Sequence, residues 1–549
     1  MKTLRERFLD WNIYQVYLRS FLDTNGDGIG DLDGVRAKLD YLQELGVNAI
    51  WISPCYESPN VDNGYDVSNY YQISKEFGGM DAWSALLENL HARGMKLIMD
   101  LVVNHTSSNH PWFLDAKTSK KSPYHDYYIW AKKPPNDWQS VFGGSAWEYN
   151  EGTKEYYLHS FAIEQPDLNW ENPKVREECR KIVEYWTKLG VDGFRCDVLD
   201  YISKDFEKGK MYNGPKLHTY IRQLFNGEST ARLFTLGECQ STSKNILRIC
   251  GKDRKELTTV FQFDHIALGK QDKYTPKAFC FDELKKLLIK WQEFVEKNEL
   301  LYVLFTDNHD QTFFLSRLGN DKEFRYECAT MLATMFYLLK GIPVVFQGQE
   351  FGCANSDYTE IKAYQDVETL QHYRMRKDEI DCETLWKEIL FSSRDHTRRP
   401  MAWTKNGDTM YGFTDKKPWI TPPSRAEEIN LETDKNSEKS IFAFYKKLFH
   451  LRLHSPAIRY GKFENISEQK NCFLFHRTYF KEELLIVCNF EHEQEIMLPK
   501  IIKEENYRLV LQNYADRTGT KKLFRPYEIA VFTKNCIYSP LQNENCMVK

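Results

Sequence analysis

Eight short apolar runs recur along the chain with longer amphipathic stretches between them, and that alternation leaves few folds open. The runs are IYQVYL (13–18), NAIWIS (48–53), KLIMDLVV (96–103), DGFRCDV (192–198), RLFTLGE (232–238), TTVFQF (258–263), LLYVLFT (300–306) and PVVFQG (343–348). Segments such as LDGVRAKLDYLQELG, MDAWSALLENLHARG, NPKVREECRKIVEYWTKLG and FDELKKLLIKWQEFVEKN space their apolar residues three and four apart, as one face of a helix requires. Gly46, Gly94 and Gly190 stand where three of these segments should stop. Eight β/α alternations predict an α/β chain closed into a (β/α)8 TIM barrel rather than an open, doubly wound sheet.

The rhythm breaks in three places. Residues 104–170 are rich in Trp, Tyr, Pro and Asn without helical period, which predicts a subdomain inserted after the third strand. Residues 350–437 form a long excursion after the eighth strand. Beyond about 465, the stretches NCFLFHRTYF, ELLIVCNF and EIAVFTKN predict a small antiparallel C-terminal β domain. The expected division is therefore 1–103 with 171–465 as barrel, 104–170 as insert and 466–549 as C-terminal domain.

The chain has 549 residues, which suits a barrel with insertions, and a formal net charge of -4, which offers no basic field to nucleic acid or an anionic membrane. Its N-terminus, MKTLRERFLDWNIYQVYLRSF, lacks the apolar core of a signal peptide. No stretch reaches the 18 uncharged apolar residues that a membrane span needs. Thirteen cysteines without CxxC pairs fit reduced thiols and a cytoplasmic location. Cys196 and Cys239 are expected to be small buried side chains.

Three carboxylates occupy the ends of separate strand-like runs: Asp197, Glu238 and Asp310. Strand ends from distant parts of a chain meet at the C-terminal face of a parallel barrel, where active sites of that fold lie. Two carboxylates flanking one bond, with a third nearby, suit acid-catalysed cleavage of a glycosidic bond. Arg195, two residues before Asp197, should project to the same side of the strand and favour an ionised Asp197. Glu238 would need to hold a proton near neutral pH.

DLVVNHTS (100–107), GFRCDV (193–198), LGE (236–238) and TDNHD (306–310), in that order, resemble the four signature regions of glycoside hydrolase family 13, the α-amylase family. GVNAIWISPCYESPNVDNGYDVSNY (46–70), QPDLNW (165–170), GIPVVFQGQE (341–350) and RDHTRRPMAW (394–403) agree, and QPDLN is typical of its oligo-1,6-glucosidase and trehalose-phosphate hydrolase branch. The resemblance implies Asp197 as nucleophile, Glu238 as acid/base and Asp310 as transition-state stabiliser. It implies that Asp66, His105, His309 and Arg398 grip the non-reducing glucosyl unit, that Tyr65 stacks on it, and that Gln165 and Arg195 line the pocket. Asp100 should support the floor of the site, whereas His91, His218, His265 and His450 match no motif. Val198, directly after the nucleophile, accompanies α-1,6 preference in the branch. The implied activity is a retaining, exo-acting α-glucosidase on short α-1,6-linked oligosaccharides such as isomaltose.

DTNGDGIGD (23–31) opens as D-x-N-x-D-G, with hard oxygen donors at alternating positions. The resemblance implies a structural Ca²⁺ or Mg²⁺ held by Asp23, Asn25, Asp27, the Ile29 carbonyl and Asp31. The bland alternative is a loop of Asx turns. No organic cofactor, nucleic acid, membrane or obligate protein partner is implied.

The chain departs from the branch on the leaving-group side. NHDQTFF puts Phe313 where an arginine is expected, PMAWT replaces PMQWD, and TTVFQFDHIALGKQDKY lacks the arginine-rich motif of sucrose isomerases. Trehalose-6-phosphate hydrolysis, which wants a cationic pocket there, and a sucrose- or α-1,4-directed activity are the alternatives. A catalytically inactive interaction subunit is the remote one, since its relatives lack the carboxylates and carry a membrane anchor.

Overall fold

The computed structural model describes residues 4–239, 242–251, 256–466, 468–499, 507–518 and 521–535. Eight parallel strands form the central sheet: β1 (Ile13–Val16), β2 (Ala49–Ile52), β3 (Lys96–Val102), β4 (Gly193–Asp197), β5 (Phe234–Gly237), β6 (Thr259–Val260), β7 (Val303–Leu304) and β8 (Ile342–Phe346). Each strand pairs with its sequence neighbour, and β1 also pairs with β8, leaving one seam between β6 and β7. Thr259 Oγ1 bridges that seam by donating to the Leu301 carbonyl at 3.0 Å. The expected TIM barrel is present, with all eight strands inside or overlapping the expected runs.

Alternate residues of each strand fill the barrel. Ile13, Ala49, Trp51, Ile98, Phe234, Leu236, Val303, Ile342 and Val344 form one buried inner cluster. Their neighbours Tyr14, Val16, Ile50, Ile52, Leu97 and Met99 join the larger core beneath the helices, as the two-residue period of a strand dictates. Gly193 makes room at one crossing, because a Cβ there would lie 2.5 Å from the Phe234 carbonyl oxygen. The outer helices are capped as their sequences suggest. In Pro173–Leu189, Asn172 accepts from the Lys174 amide, proline opens the first turn, and Gly190 closes the last in a left-handed conformation.

The excursion at 104–170 carries a three-stranded antiparallel sheet of Trp130–Ala131, Glu155–Leu158 and Trp147–Asn150. Its two ends are stitched together, with the Leu168 amide donating to the Asn104 carbonyl at 2.8 Å. The excursion after β8 forms helices at Val367–Arg376, Cys382–Ser392 and Asp395–Arg398.

The C-terminal sheet is antiparallel, in the order Lys462–Asn465, Cys472–Tyr479, Glu482–Asn489, Ile529–Lys534, Arg508–Gln512. It begins at Lys462, ahead of the boundary expected at 466. Phe473, Phe475, Leu484 and Ile486 join the main core, whereas Cys472, Leu474, Leu485 and Val487 form a separate cluster on the other face. Among the described residues no helix is long and apolar enough to cross a membrane.

Candidate active site

The inner-facing period carries straight into the site. Ile98 is followed on the same face by Asp100, Gly193 by Arg195 and Asp197, and Leu236 by Glu238. Parallel register sets Asp100 opposite Arg195, Val102 opposite Asp197, and Leu236 opposite Arg195. Three carboxylates and one guanidinium therefore meet at the C-terminal mouth of the barrel.

Arg195 is the hub. Its Nη1 donates to Asp100 Oδ1 at 2.8 Å and to Asp197 Oδ1 at 2.7 Å, while Nη2 donates to Glu238 Oε2 at 2.6 Å. The arginine is 2% exposed, so these are charge-assisted bonds in a dry setting, where such bonds are strongest. Asp100 also accepts from Trp51 Nε1 at 2.9 Å and Tyr65 Oη at 3.2 Å, and burial raises its carboxyl to about 6. Arg195 does lower the Asp197 carboxyl, but burial is the larger influence and Glu238, Asp100 and Asp310 add to it. The net direction is well above the ordinary carboxylate range, so Arg195 favours the ionised form as expected but burial and the neighbouring carboxylates outweigh it.

Asp310 sits on a second cationic arm. Arg398 Nη2 donates to its Oδ1 at 2.9 Å and Arg394 Nη1 at 3.2 Å. Burial would raise this carboxyl, yet the positive groups around it hold it well below the usual range. Burial also brings His309 down to about 3, so His309 is neutral and the two arginines supply the charge. Gln15 Nε2 donates to His309 Nδ1 at 2.8 Å. Nε2 then carries the hydrogen, 3.1 Å from Asp310 Oδ2 and 2.6 Å from Tyr65 Oη.

The expected binding residues divide. Tyr65 lies parallel to His309, with ring centroids 5.3 Å apart and planes at 2°. Gln165 Nε2 lies 3.2 Å from His105 Nε2 and donates to Asp62 Oδ2 at 3.2 Å. Asp66 is fully buried, and its oxygens accept the Val61 and Asp62 amides at 3.0 Å each, so it braces a turn. Asp62, beside it, is paired to Arg394 at 3.4 Å. Arg398 is buried behind Asp310, with Nε donating to the His309 carbonyl. Arg394, which sequence reasoning passed over, is gripped by Asp366 at 2.6 Å and also reaches Asp62 and Asp310. The one available signal was its spacing, four residues before Arg398 and so one helical turn away.

Phe313 does not face the site. It is 5% exposed and packs with Tyr17 and Phe346, so it is no substitute for a leaving-group arginine.

The 23–31 loop is closed by its own bonds. Asp23 accepts from the Asn25, Gly26 and Gly28 amides and from the Thr414 hydroxyl. Asp27 accepts from the Ile29 amide, Asn25 from the Asp27 amide, and Asp31 from the Thr24 and Gly34 amides. A carboxylate has about four lone-pair sites, and those of Asp23 are taken. Among the described residues no three His, Cys, Asp or Glu side chains converge as a metal cluster. As arranged, these oxygens are engaged by the loop's own donors, so a cation held by Asp23, Asn25, Asp27, the Ile29 carbonyl and Asp31 would have to displace some of them, and no step of the chemistry passes through one.

The α-amylase catalytic-domain family model matches residues 15–461. The chain is 43% identical to an oligo-1,6-glucosidase of Bacillus cereus over 550 residues, covering 95% of this chain and 98% of that one. The crystal structure of Bacillus licheniformis trehalose-6-phosphate hydrolase superimposes with a TM-score of 0.89 at 38% identity, covering 96% and 99% of the two chains. That of an isomaltulose synthase mutant from Erwinia rhapontici NX5 does so with 0.90 at 33%, covering 96% and 98%. A parallel barrel with carboxylates at its C-terminal mouth, matched along nearly its whole length by these proteins, makes this chain a glycoside hydrolase of the α-amylase family.

Proposed function

We propose that the protein is a retaining, exo-acting α-glucosidase that removes terminal α-1,6-linked glucose from short oligosaccharides. The observation that carries this reading is the shared guanidinium: Asp197 and Glu238 accept from neighbouring arms of Arg195. Carboxylates held that close suit double displacement, in which one attacks the anomeric carbon and the other protonates the leaving oxygen. An inverting pair would need room between them for a water. In the proposed reaction Glu238 gives its proton to the glycosidic oxygen as Asp197 forms a covalent glucosyl ester. Water then attacks the anomeric carbon of the ester, releasing the Asp197 carboxylate and giving a proton back to Glu238. Asp310, kept anionic by Arg394 and Arg398, stabilises the positive charge that grows on the sugar ring.

Val198 beside the nucleophile supports α-1,6 linkage, as does the similarity to an oligo-1,6-glucosidase. The test is a comparison of isomaltose, maltose, sucrose, trehalose and trehalose 6-phosphate, ranked by kcat/KM. Isomaltose is expected first. Maltose or sucrose ahead of it would transfer the assignment to another linkage.

A further inference from the structure

Gln15 faces the same barrel interior as Asp100 and Arg195. It follows Ile13 by two residues on β1, is fully buried, and stands opposite Trp51 in the parallel register. Trp51 donates to Asp100, and its ring meets that of His309 edge-on with centroids 6.1 Å apart. Tyr17 lies nearly parallel to the His309 ring at 5.9 Å, and Arg398 holds the His309 carbonyl. Packing and backbone therefore fix where the ring sits. They leave open which of its nitrogens carries the hydrogen.

Two independent contacts decide that. Burial keeps His309 neutral, so one ring nitrogen donates and the other accepts. Nε2 lies 3.1 Å from Oδ2 of Asp310, whose carboxylate is anionic and can only accept. On the opposite edge Gln15 Nε2, a donor, lies 2.8 Å from Nδ1. Both contacts require the hydrogen on His309 Nε2. The order then continues, since that nitrogen lies 2.6 Å from Tyr65 Oη, which itself donates to Asp100 Oδ2 at 3.2 Å. Donors point one way, from Gln15 through His309 and Tyr65 to Asp100. Gln15 loses a hydrogen bond in this arrangement, because its Oε1 is buried without a partner among the described residues. An unmet buried acceptor is destabilising. A methionine would fill the same space without that loss, so packing does not explain a glutamine here, whereas its N–H does.

We infer that Gln15 is a positioning residue for glycoside cleavage, acting through His309 by holding the ring hydrogen on Nε2, where it orients Asp310 and Tyr65. This rests on the role proposed for Asp310, whose fixed negative charge is needed as the sugar ring becomes positive.

Neutron diffraction from deuterated crystals of the native enzyme locates the hydrogen directly. It is expected on His309 Nε2, and a hydrogen on Nδ1 would overturn the assignment. Gln15→Met removes the donor at similar volume. Gln15→Glu keeps the shape and sets an acceptor against Nδ1, so His309 in that variant should carry a hydrogen there. With nitrophenyl α-glucoside, Gln15→Met should lower kcat ~10–100-fold, the size of one lost hydrogen bond to a charged group, and move KM less. Gln15→Glu should fall at least as far. A merely structural glutamine predicts another pattern, a lower melting temperature with kcat per folded molecule unchanged, and that pattern in both variants overturns the proposal. The native tautomer is read without any substitution, so a variant that fails to fold leaves that arm of the test intact. Native enzyme that hydrolyses no α-glucoside would overturn the glucosidase reading and the role of Gln15 with it, whereas active native enzyme with unaffected variants overturns the role of Gln15 alone.

Discussion

The Val198 amide donates to Glu238 Oε2 at 3.1 Å from a left-handed backbone, φ 34° and ψ 45°. A β-branched residue rarely adopts that region, at a cost on the order of 1–3 kcal/mol. The conformation is fixed from both sides, since the Leu199 amide donates to the Glu238 carbonyl and the Glu238 amide to the Cys196 carbonyl, each at 2.9 Å. The same turn that aims an N–H at Glu238 sets Val198 directly after Asp197, where the proposed reaction places the cleavage point. Val198→Thr keeps the shape and adds a hydroxyl. It should leave the melting temperature nearly unchanged while narrowing the isomaltose-to-maltose ratio of kcat/KM by an amount on the order of 1–3 kcal/mol. An unchanged ratio would remove Val198 as a linkage determinant.

Asp197→Asn and Glu238→Gln should each nearly abolish turnover of natural substrates without unfolding the protein. Loss of acid assistance alone should cost ~10²–10⁴-fold. A nitrophenyl glucoside, whose leaving group needs little protonation, should recover part of the first step in the Glu238 variant but none in the Asp197 variant. NMR of the first product released by the native enzyme should show α-glucose, and β-glucose would rule out double displacement.

Arg394 serves Asp310, Asp62 and Asp366 at once, and removing one partner of a buried pair typically costs about 3–5 kcal/mol. Arg394→Gln should therefore lower both stability at neutral pH and kcat/KM, and Arg394→Lys should rescue little, because a point charge cannot replace a fork. The sign of the pH dependence follows from Asp310, whose carboxyl is depressed in the folded state. Its contribution to stability is present above the unfolded value, about 3.9, and is lost as pH falls through the folded one. The gap in melting temperature between native and variant should therefore be full near neutrality and shrink in strong acid. A gap that widened on acidification would contradict the assignment of Arg394 to Asp310.

Much of this was legible in the sequence because periodicity is local. The inward alternation that makes Ile98 and Leu236 barrel-filling also predicts that Asp100 and Glu238 face the same interior, and Arg195 follows by the same count of two. Loop residues obey no such count. In VDNGYD two aspartates flank an Asn-Gly turn, and only the turn's hydrogen bonds show that Asp66 braces it while Asp62 reaches Arg394. Phe313 misled for a related reason: a motif position says what usually stands there, not which way the chain turns after Asp310.

The 23–31 loop gives the last prediction. Its spacing of oxygen donors motivates a bound Ca²⁺ or Mg²⁺, and the structure defines what binding would require: Asp23 and Asp31 must exchange amide and hydroxyl donors for the ion. An ion taken up only by the native state adds RT ln(1 + [L]/Kd) to stability. Millimolar Ca²⁺ is accordingly expected to raise the melting temperature and a chelator to reverse the rise. Activity of the still-folded enzyme should change little, since the loop makes no contact with Asp197 or Glu238 through the bonds that close it. Asp27→Asn, which removes a charge but keeps an oxygen able to accept the Ile29 amide, should weaken the response without opening the loop. A melting temperature indifferent to both cation and chelator, with no metal in the purified protein, would leave the Asx turns as the whole explanation of the acidic spacing.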